Sequence, residues 1–215
     1  MSLDLVDVTI RLHERVLVPP LSAHIAAGEV LAVMGESGAG KSSLLAWIAG
    51  LLEPPFEASG GIMLDGEDVT DAPVETRRIG LLFQDDLLFP HMSVIDNLLF
   101  ALPAGPRRPR VERAEEALAR AGLAGFARRR PAQLSGGQRA RVSLLRAMLA
   151  GPRALLLDEP FSRLDAARRE QMRAFVWAEL AANAVPAVLV THDRADVPGG
   201  ARLVELPPVA GGDDA

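Results

Sequence analysis

The 215-residue chain contains no cysteine and no tyrosine, and a single lysine, Lys41, stands among 22 arginines. Without cysteine there is no disulfide scaffold and no thiolate metal or redox centre. Long apolar runs are also missing. The longest, such as Ala154 to Leu157 and Ala187 to Val190, fall far short of the ~20 residues a membrane helix needs. Met1 to Thr9 holds Asp4 and Asp7 and no basic stretch, unlike a signal peptide. A soluble, cytoplasmic chain is therefore expected, one that docks on a membrane protein at most. Nor is there an excess of positive charge: 23 Lys+Arg face 28 Asp+Glu, a net −5, which argues against holding nucleic acid by bulk charge. The clusters Arg107-Arg108-Pro109-Arg110 and Arg128-Arg129-Arg130 read as a solvated loop and a helix end, because Glu112, Glu115 and Glu116 lie nearby.

What is present is apolar and ordered. Hydrophobic residues make up 49% of the chain, enough to bury a core at this length. Residues 3–34 read as β-rich, with turns at Pro19-Pro20 and Ala27-Gly28. Val30 to Met34 predicts a strand, and Ser42 to Leu52 a helix closed by Glu53-Pro54-Pro55. Ile62 to Leu64 and Ile79 to Phe83 are further strands. Leu87 to Ala150 turns helical, interrupted at Pro103 to Pro109 and Arg128 to Pro131. Ala154 to Leu157 predicts a buried strand, Ala166 to Ala182 a helix, and Ala187 to Val190 another strand. Strands alternating with helices predict an α/β core with a mainly parallel sheet, the long helical middle being an inserted subdomain. Trp47 and Trp177 lie in helical apolar patterns and read as core or subunit contacts, and the Pro/Gly/Asp-rich end, 208–215, reads as a frayed tail.

Gly35-Glu36-Ser37-Gly38-Ala39-Gly40-Lys41-Ser42 fits G-x-x-x-x-G-K-[ST] between a predicted strand and a predicted helix. The glycines let successive backbone N–H groups turn inward as an anion nest, and the helix N-terminus adds its positive end. Lys41 then reaches the β- and γ-phosphates while the Ser42 hydroxyl binds Mg²⁺, with Ser43 beside it. Lysine survives at this one position because a compact ammonium fits a tight backbone loop where a planar guanidinium would clash.

Two further features carry chemistry. The apolar run Ala154 to Leu157 ends in Asp158-Glu159, an expensive way to end a buried strand unless the charges have partners. Beside a phosphate loop, Asp158 suits Mg²⁺ and Glu159 suits polarising the attacking water. Leu134-Ser135-Gly136-Gly137-Gln138 precedes an amphipathic helix from about Gly137 to Ala150, a second glycine-containing anion nest without a lysine.

Together these motifs resemble the ATP-binding subunits of ABC transporters over essentially the whole chain. Gly35 to Ser42 resembles their Walker A motif, Leu134 to Gln138 the signature, and Leu155 to Asp158 with Glu159 the Walker B motif and catalytic glutamate. Gln84 after Leu81-Leu82-Phe83 matches the Q-loop, Ser162-Arg163-Leu164-Asp165 the D-loop, and His192 the switch histidine. The resemblance implies a P-loop NTPase of ABC ATPase type with an N-terminal antiparallel β subdomain. It implies a single nucleotide-binding domain over 1–215, with 1–86 and 151–207 as the ATP-binding core and 87–150 as the helical signature subdomain. ATP and Mg²⁺ are the implied cofactors, with Ser42, Gln84 and Asp158 toward the metal. A second copy of the chain, paired head to tail, would bring Ser135, Gly136, Gly137 and Gln138 onto ATP in trans, with Asp165 coupling the two sites.

Leu88 to Asn97 is similar to the segment after the Q-loop in bacterial importers, and the wider likeness extends to the small YnjD-type group associated with thiamine-like uptake. Two transmembrane permease subunits, and indirectly a solute-binding protein, are the implied partners; nucleic acid is not. An exporter or lipid-extraction motor, or a soluble non-transport ABC ATPase, is the alternative. A P-loop kinase or GTPase would leave Leu134 to Gln138 unexplained. One departure stands out. The family usually stacks adenine on an aromatic residue, often Tyr, ahead of the P-loop, and this chain aligns Leu12 there with His13 next. Weaker and less base-selective nucleotide binding is expected.

Overall fold

The computed structural model describes Met1–Pro208, so the tail expected at 208–215 lies, after Pro208, outside the described residues. In chain order the elements are β1 (Ser2–Leu12), β2 (Arg15–Ala26), β3 (Val30–Met34), α1 (Lys41–Ala49), β4 (Phe56–Leu64), β5 (Glu67–Asp68), α2 (Val74–Arg77) and β6 (Ile79–Leu82). Next come α3 (Val94–Ala101), α4 (Arg107–Arg120), α5 (Gly136–Leu149), β7 (Ala154–Asp158), α6 (Ala166–Asn183), β8 (Ala187–Thr191) and β9 (Arg202–Glu205). Four strands form an antiparallel sheet in the order β2-β1-β4-β5, and five form a parallel sheet in the order β6-β7-β8-β3-β9.

The side-chain alternation of the parallel strands explains both layers around them. Leu31, Val33, Leu156, Val188 and Val190 point to one face, where they meet α1 (Leu44, Leu45, Ile48) and the apolar face of the antiparallel sheet (Leu3, Leu5, Ile10). Ala32, Leu155, Leu157 and Leu189 point to the other, against Met172, Val176 and Leu180 of α6 and Leu144 and Met148 of α5. A sheet covered on both faces has no polar side, so its strands read as unbroken apolar runs. Each fully buried leucine contributes about 1.5–3 kcal/mol. The inserted helices have a separate core built from Val94, Leu98, Ala114, Leu118, Val142 and Leu145.

Three local expectations are corrected. Helix α1 ends at Ala49 rather than Leu52, because Gly50 adopts a left-handed cap (φ 80°) whose N–H bonds back to Trp47 O, and the Arg77 guanidinium donates to Trp47 O and Ile48 O at 3.0 Å. The Arg107 to Arg110 cluster is no loop: it is the first turn of α4, where Pro109 costs little because the first-turn amides have no intrahelical acceptor. Within it, Arg110 turns inward and hydrogen-bonds Leu102 O at 3.3 Å and Leu99 O. Pro19-Pro20 is no turn: both lie within β2, which runs from Arg15 to Ala26, and the short edge strand β9 has no counterpart among the expected elements.

Candidate nucleotide-binding site

Strand register assembles the site. In the parallel sheet β7, β8 and β3 are neighbours, with Asp158 opposite Val190 and Thr191 opposite Met34. Glu159, His192 and Gly35 are thus the first residues off, or one step beyond, three adjacent carboxyl-terminal strand ends. That edge is where open α/β sheets bind ligands.

The loop between β3 and α1 is shaped by its glycines. Gly38 and Gly40 have φ of 82° and 87°, and a Cβ on Gly40 would lie 2.8 Å from Leu17 Cβ, so only glycine fits there. Lys41 opens α1, is 7% exposed, and donates from Nζ to Gly35 O and Glu36 O, both at 2.8 Å. Its ammonium is thereby held against the backbone of the first two residues of the loop. No side chain caps the start of α1. The loop borders a cavity of about 320 Å³ lined by Ser37, Gly38, Lys41, Ser42 and Ser43 on one side and by Leu12, Leu17 and Phe56 on the other, with Glu159 also reaching it. Ala39 is buried beneath, and the exposed Glu36 contributes its carbonyl to Lys41.

Asp158 ends β7 half-buried and accepts a hydrogen bond from Ser42 Oγ at 3.2 Å. Burial, reinforced by the adjacent Glu159, pushes its carboxyl above the usual carboxylate range, against the Ser42 hydrogen bond and the Lys41 charge. A desolvated carboxylate beside a hydroxyl fits a small divalent cation. Among the described residues no group of three or more His, Asp or Glu forms a self-contained metal cage. Mg²⁺ commonly completes its shell with phosphate and water oxygens rather than with such a cage. Glu159 has a left-handed backbone (φ 44°), its N–H bonds to Val190 O at 3.0 Å, and its Oε2 lies 3.2 Å from His192 Nδ1. A carboxylate paired with an imidazole at the edge of this cavity is placed to accept a proton from a water beside it.

Other expected site residues are arranged differently. Gln84 follows β6 by two residues and donates from Nε2 to Ser162 Oγ at 3.1 Å, and that hydroxyl donates to Glu159 O at 2.9 Å. It makes no hydrogen bond to the Ser42–Asp158 pair; it reaches the Glu159 backbone through Ser162. Asp85 pairs with Arg163, and Asp86 with Arg139 Nε at 3.0 Å, which ties the segment after Gln84 to the D-loop and to α5. Ser135 caps α5 reciprocally with Gln138: Gln138 N–H donates to Ser135 Oγ at 3.3 Å and Ser135 N–H to Gln138 Oε1 at 2.9 Å. Ser135, Gly136, Gly137 and Gln138 do not line the P-loop cavity; Gly136 borders a separate one of about 440 Å³ with Gln84 and Arg163. Asp165 is exposed and caps α6 by accepting from Arg168 N–H at 3.0 Å.

Two features escape a reading of the sequence. Leu12 does line the cavity, but opposite it on β4 stands an aromatic ring, Phe56, in direct cross-strand register. His13 is exposed in the β1–β2 turn and is not among the residues lining that cavity. Arg169 Nη1 holds Asp193 Oδ2 at 2.7 Å and so ties α6 to the residue after His192. Neither has a linear signal, since both depend on residues brought together from distant positions.

Residues 18–162 match the ABC transporter family. The chain is 46% identical over 201 residues to the ABC transporter ATP-binding protein YnjD of Escherichia coli (strain K12), covering 93% of each. It is 44% identical over 179 residues to the Fe(3+) ions import ATP-binding protein FbpC 1 of Rhizobium meliloti (strain 1021), 82% of this chain and 50% of that protein. It is 45% identical over 177 residues to the sulfate/thiosulfate import ATP-binding protein CysA of Bacillus cereus, 79% of this chain and 48% of that one. The chain thus spans about half the length of the iron and sulfate relatives and nearly all of YnjD. The P-loop, the second glycine turn and the acid-tipped β7, in that order on this fold, agree with the match: the chain belongs to the ABC transporter family of ATP-binding proteins.

Proposed function

We propose that this chain is the ATP-hydrolysing motor of a bacterial importer. It would pair head to tail with a second copy and act through separate permease subunits. The observation that carries the reading is the row of Lys41, the Ser42–Asp158 pair and the Glu159–His192 pair along one sheet edge. In this reading Lys41 and the loop amides hold the β- and γ-phosphates of ATP. Ser42 and Asp158 are the residues that would hold Mg²⁺, whose charge would offset that developing on the phosphate oxygens. Glu159 takes a proton from water as the water oxygen attacks the γ-phosphorus, and the bond to the β–γ bridging oxygen breaks to release ADP and phosphate. His192 holds Glu159 in place. Gln84 relays the state of the site through Ser162.

Ser135, Gly136, Gly137 and Gln138 then serve the γ-phosphate of the other copy, with Asp165 at the seam. Their position outside the P-loop cavity of their own chain supports this. A groove of about 330 Å³ bordered by Leu87, Phe89, Phe100 and Arg146 lies where the segment after Gln84 meets α3 and α5. Phe100 is 65% and Leu87 55% exposed, which suits docking of a permease helix. None of the helices in the described residues is long and apolar enough to cross a membrane. In this reading the chain sits on the cytoplasmic face of the membrane, and a permease and solute-binding protein choose the solute. The import names of the iron and sulfate relatives support import over export.

Glu159→Gln tests the chemistry. Turnover should fall by about 10²–10⁴ while ATP binding persists. Gel filtration with Mg-ATP should then show a trapped pair. Normal hydrolysis by this variant would assign the base elsewhere.

A further inference from the structure

We propose that Phe56 is the platform on which the nucleotide base stacks, and that it makes this site accept purine nucleotides without distinguishing adenine from guanine. The inference rests on the nucleotide reading of the P-loop and adds which base that site takes. The cavity beside the P-loop has two unlike ends. One is the phosphate cradle of Ser37, Gly38, Lys41 and Ser42; the other is formed by Leu12, Leu17 and Phe56. A ligand that fills both ends must carry a polyanion on one side and a flat apolar group on the other. Phe56 alone supplies a ring among the residues lining this cavity.

The ring is placed from both sides. Phe56 opens β4 directly opposite Leu12, at the end of the antiparallel sheet that faces the P-loop. Its N–H donates to Glu53 O at 3.2 Å, closing the turn through Pro54-Pro55 that feeds the strand. The side chain is partly buried against the core and still lines the cavity. Leu17 packs so closely on Gly40 that a Cβ there would lie 2.8 Å from Leu17 Cβ, a contact that joins the apolar end of the cavity to the phosphate end. The aromatic contact missing from β1 is therefore supplied by the neighbouring strand.

The chemistry of this end also sets what it reads. Stacking depends on ring area and is tolerant of base identity. Leu12, Leu17 and Phe56 offer no side-chain donor or acceptor to the edge of a base. Larger purine rings gain more than pyrimidines, and adenine and guanine gain alike.

Titration calorimetry on the full chain tests this with Mg-ATP, Mg-GTP, Mg-CTP and inorganic tripolyphosphate. Wild type should bind ATP and GTP within a few-fold of each other and CTP more weakly. Phe56→Ala and Phe56→Leu should each lose about tenfold for both purine nucleotides and nothing for tripolyphosphate, and Phe56→Tyr should keep wild-type affinity. Phe56→Leu retains apolar bulk, so its loss separates stacking from packing if the alanine variant folds poorly. Undiminished ATP affinity in Phe56→Leu overturns the proposal, as does an equal loss for tripolyphosphate or a strong wild-type preference for ATP over GTP. If Lys41→Ala leaves ATP and tripolyphosphate binding intact, the nucleotide reading itself falls, independently of Phe56.

Discussion

Two helices in this chain, α1 and α5, begin with glycine-containing turns, and they treat their first-turn amides in opposite ways. At α1 the N-cap is Gly40 with φ 87°, and no side chain satisfies the helix start. At α5 the N-cap is Ser135, and Ser135 and Gln138 satisfy each other in a closed box. The first turn sits beside the only lysine in the chain and an aromatic-floored cavity. The second is half-exposed, Ser135 open to solvent and Gly137 beside Arg168 of α6. An uncapped helix start keeps its donors for a ligand; a self-capped one is stable alone and offers its surface to whatever approaches. Under the proposed function one turn is a site within its own chain, and the other is a half-site that a second copy, paired head to tail, would complete.

The largest expected effect lies at the uncapped turn. Lys41→Ala should reduce affinity for both ATP and tripolyphosphate by about two orders of magnitude, the scale of a buried charge-assisted contact. Lys41→Arg should fail as well, because the guanidinium does not fit beneath the Gly35 and Glu36 carbonyls. Binding that survives in either variant would remove the contrast between the two turns.

A mixing experiment gives an intermediate effect. Lys41→Ala and Ser135→Arg chains should each be inactive alone. Mixed at equal concentration, they should recover up to about a quarter of wild-type turnover, because half the pairs then hold one intact composite site. No recovery on mixing would make the second turn act within its own chain.

The smallest effect is at Gln138. Gln138→Ala removes half the capping box and should cost about 0.5–1 kcal/mol, lowering the melting temperature by about 2 °C. At concentrations where gel filtration shows a single chain, the rise in melting temperature on adding tripolyphosphate should be unchanged, since that ligand binds at α1 and Gln138 acts on the other copy. A diminished rise for the single chain would mean that the two turns share one ligand within it.

The legibility of these features in the sequence follows their physics. The P-loop is local: eight consecutive residues between a strand and a helix, each with a steric or electrostatic reason. Asp158 and Glu159 stand out because acids ending an apolar run need partners. The partner contacts are longer-range, Ser42 to Asp158 spanning 116 positions, and the family resemblance rather than any spacing anticipated them. Phe56 was invisible because its role depends on the β1–β4 register, which no periodicity encodes. Arg110 misled because a charged cluster looks solvated until α3 presents carbonyls to it.

The backbone of Glu159 has a broader consequence. A residue with a side chain at φ 44° costs about 1–2 kcal/mol that glycine would not. Glycine would relieve that strain, offset in part by the greater freedom it gives the unfolded chain. Glu159 is one of seven non-glycine residues at positive φ among the described residues, and a stability screen blind to activity would offer glycine at the very position that faces His192.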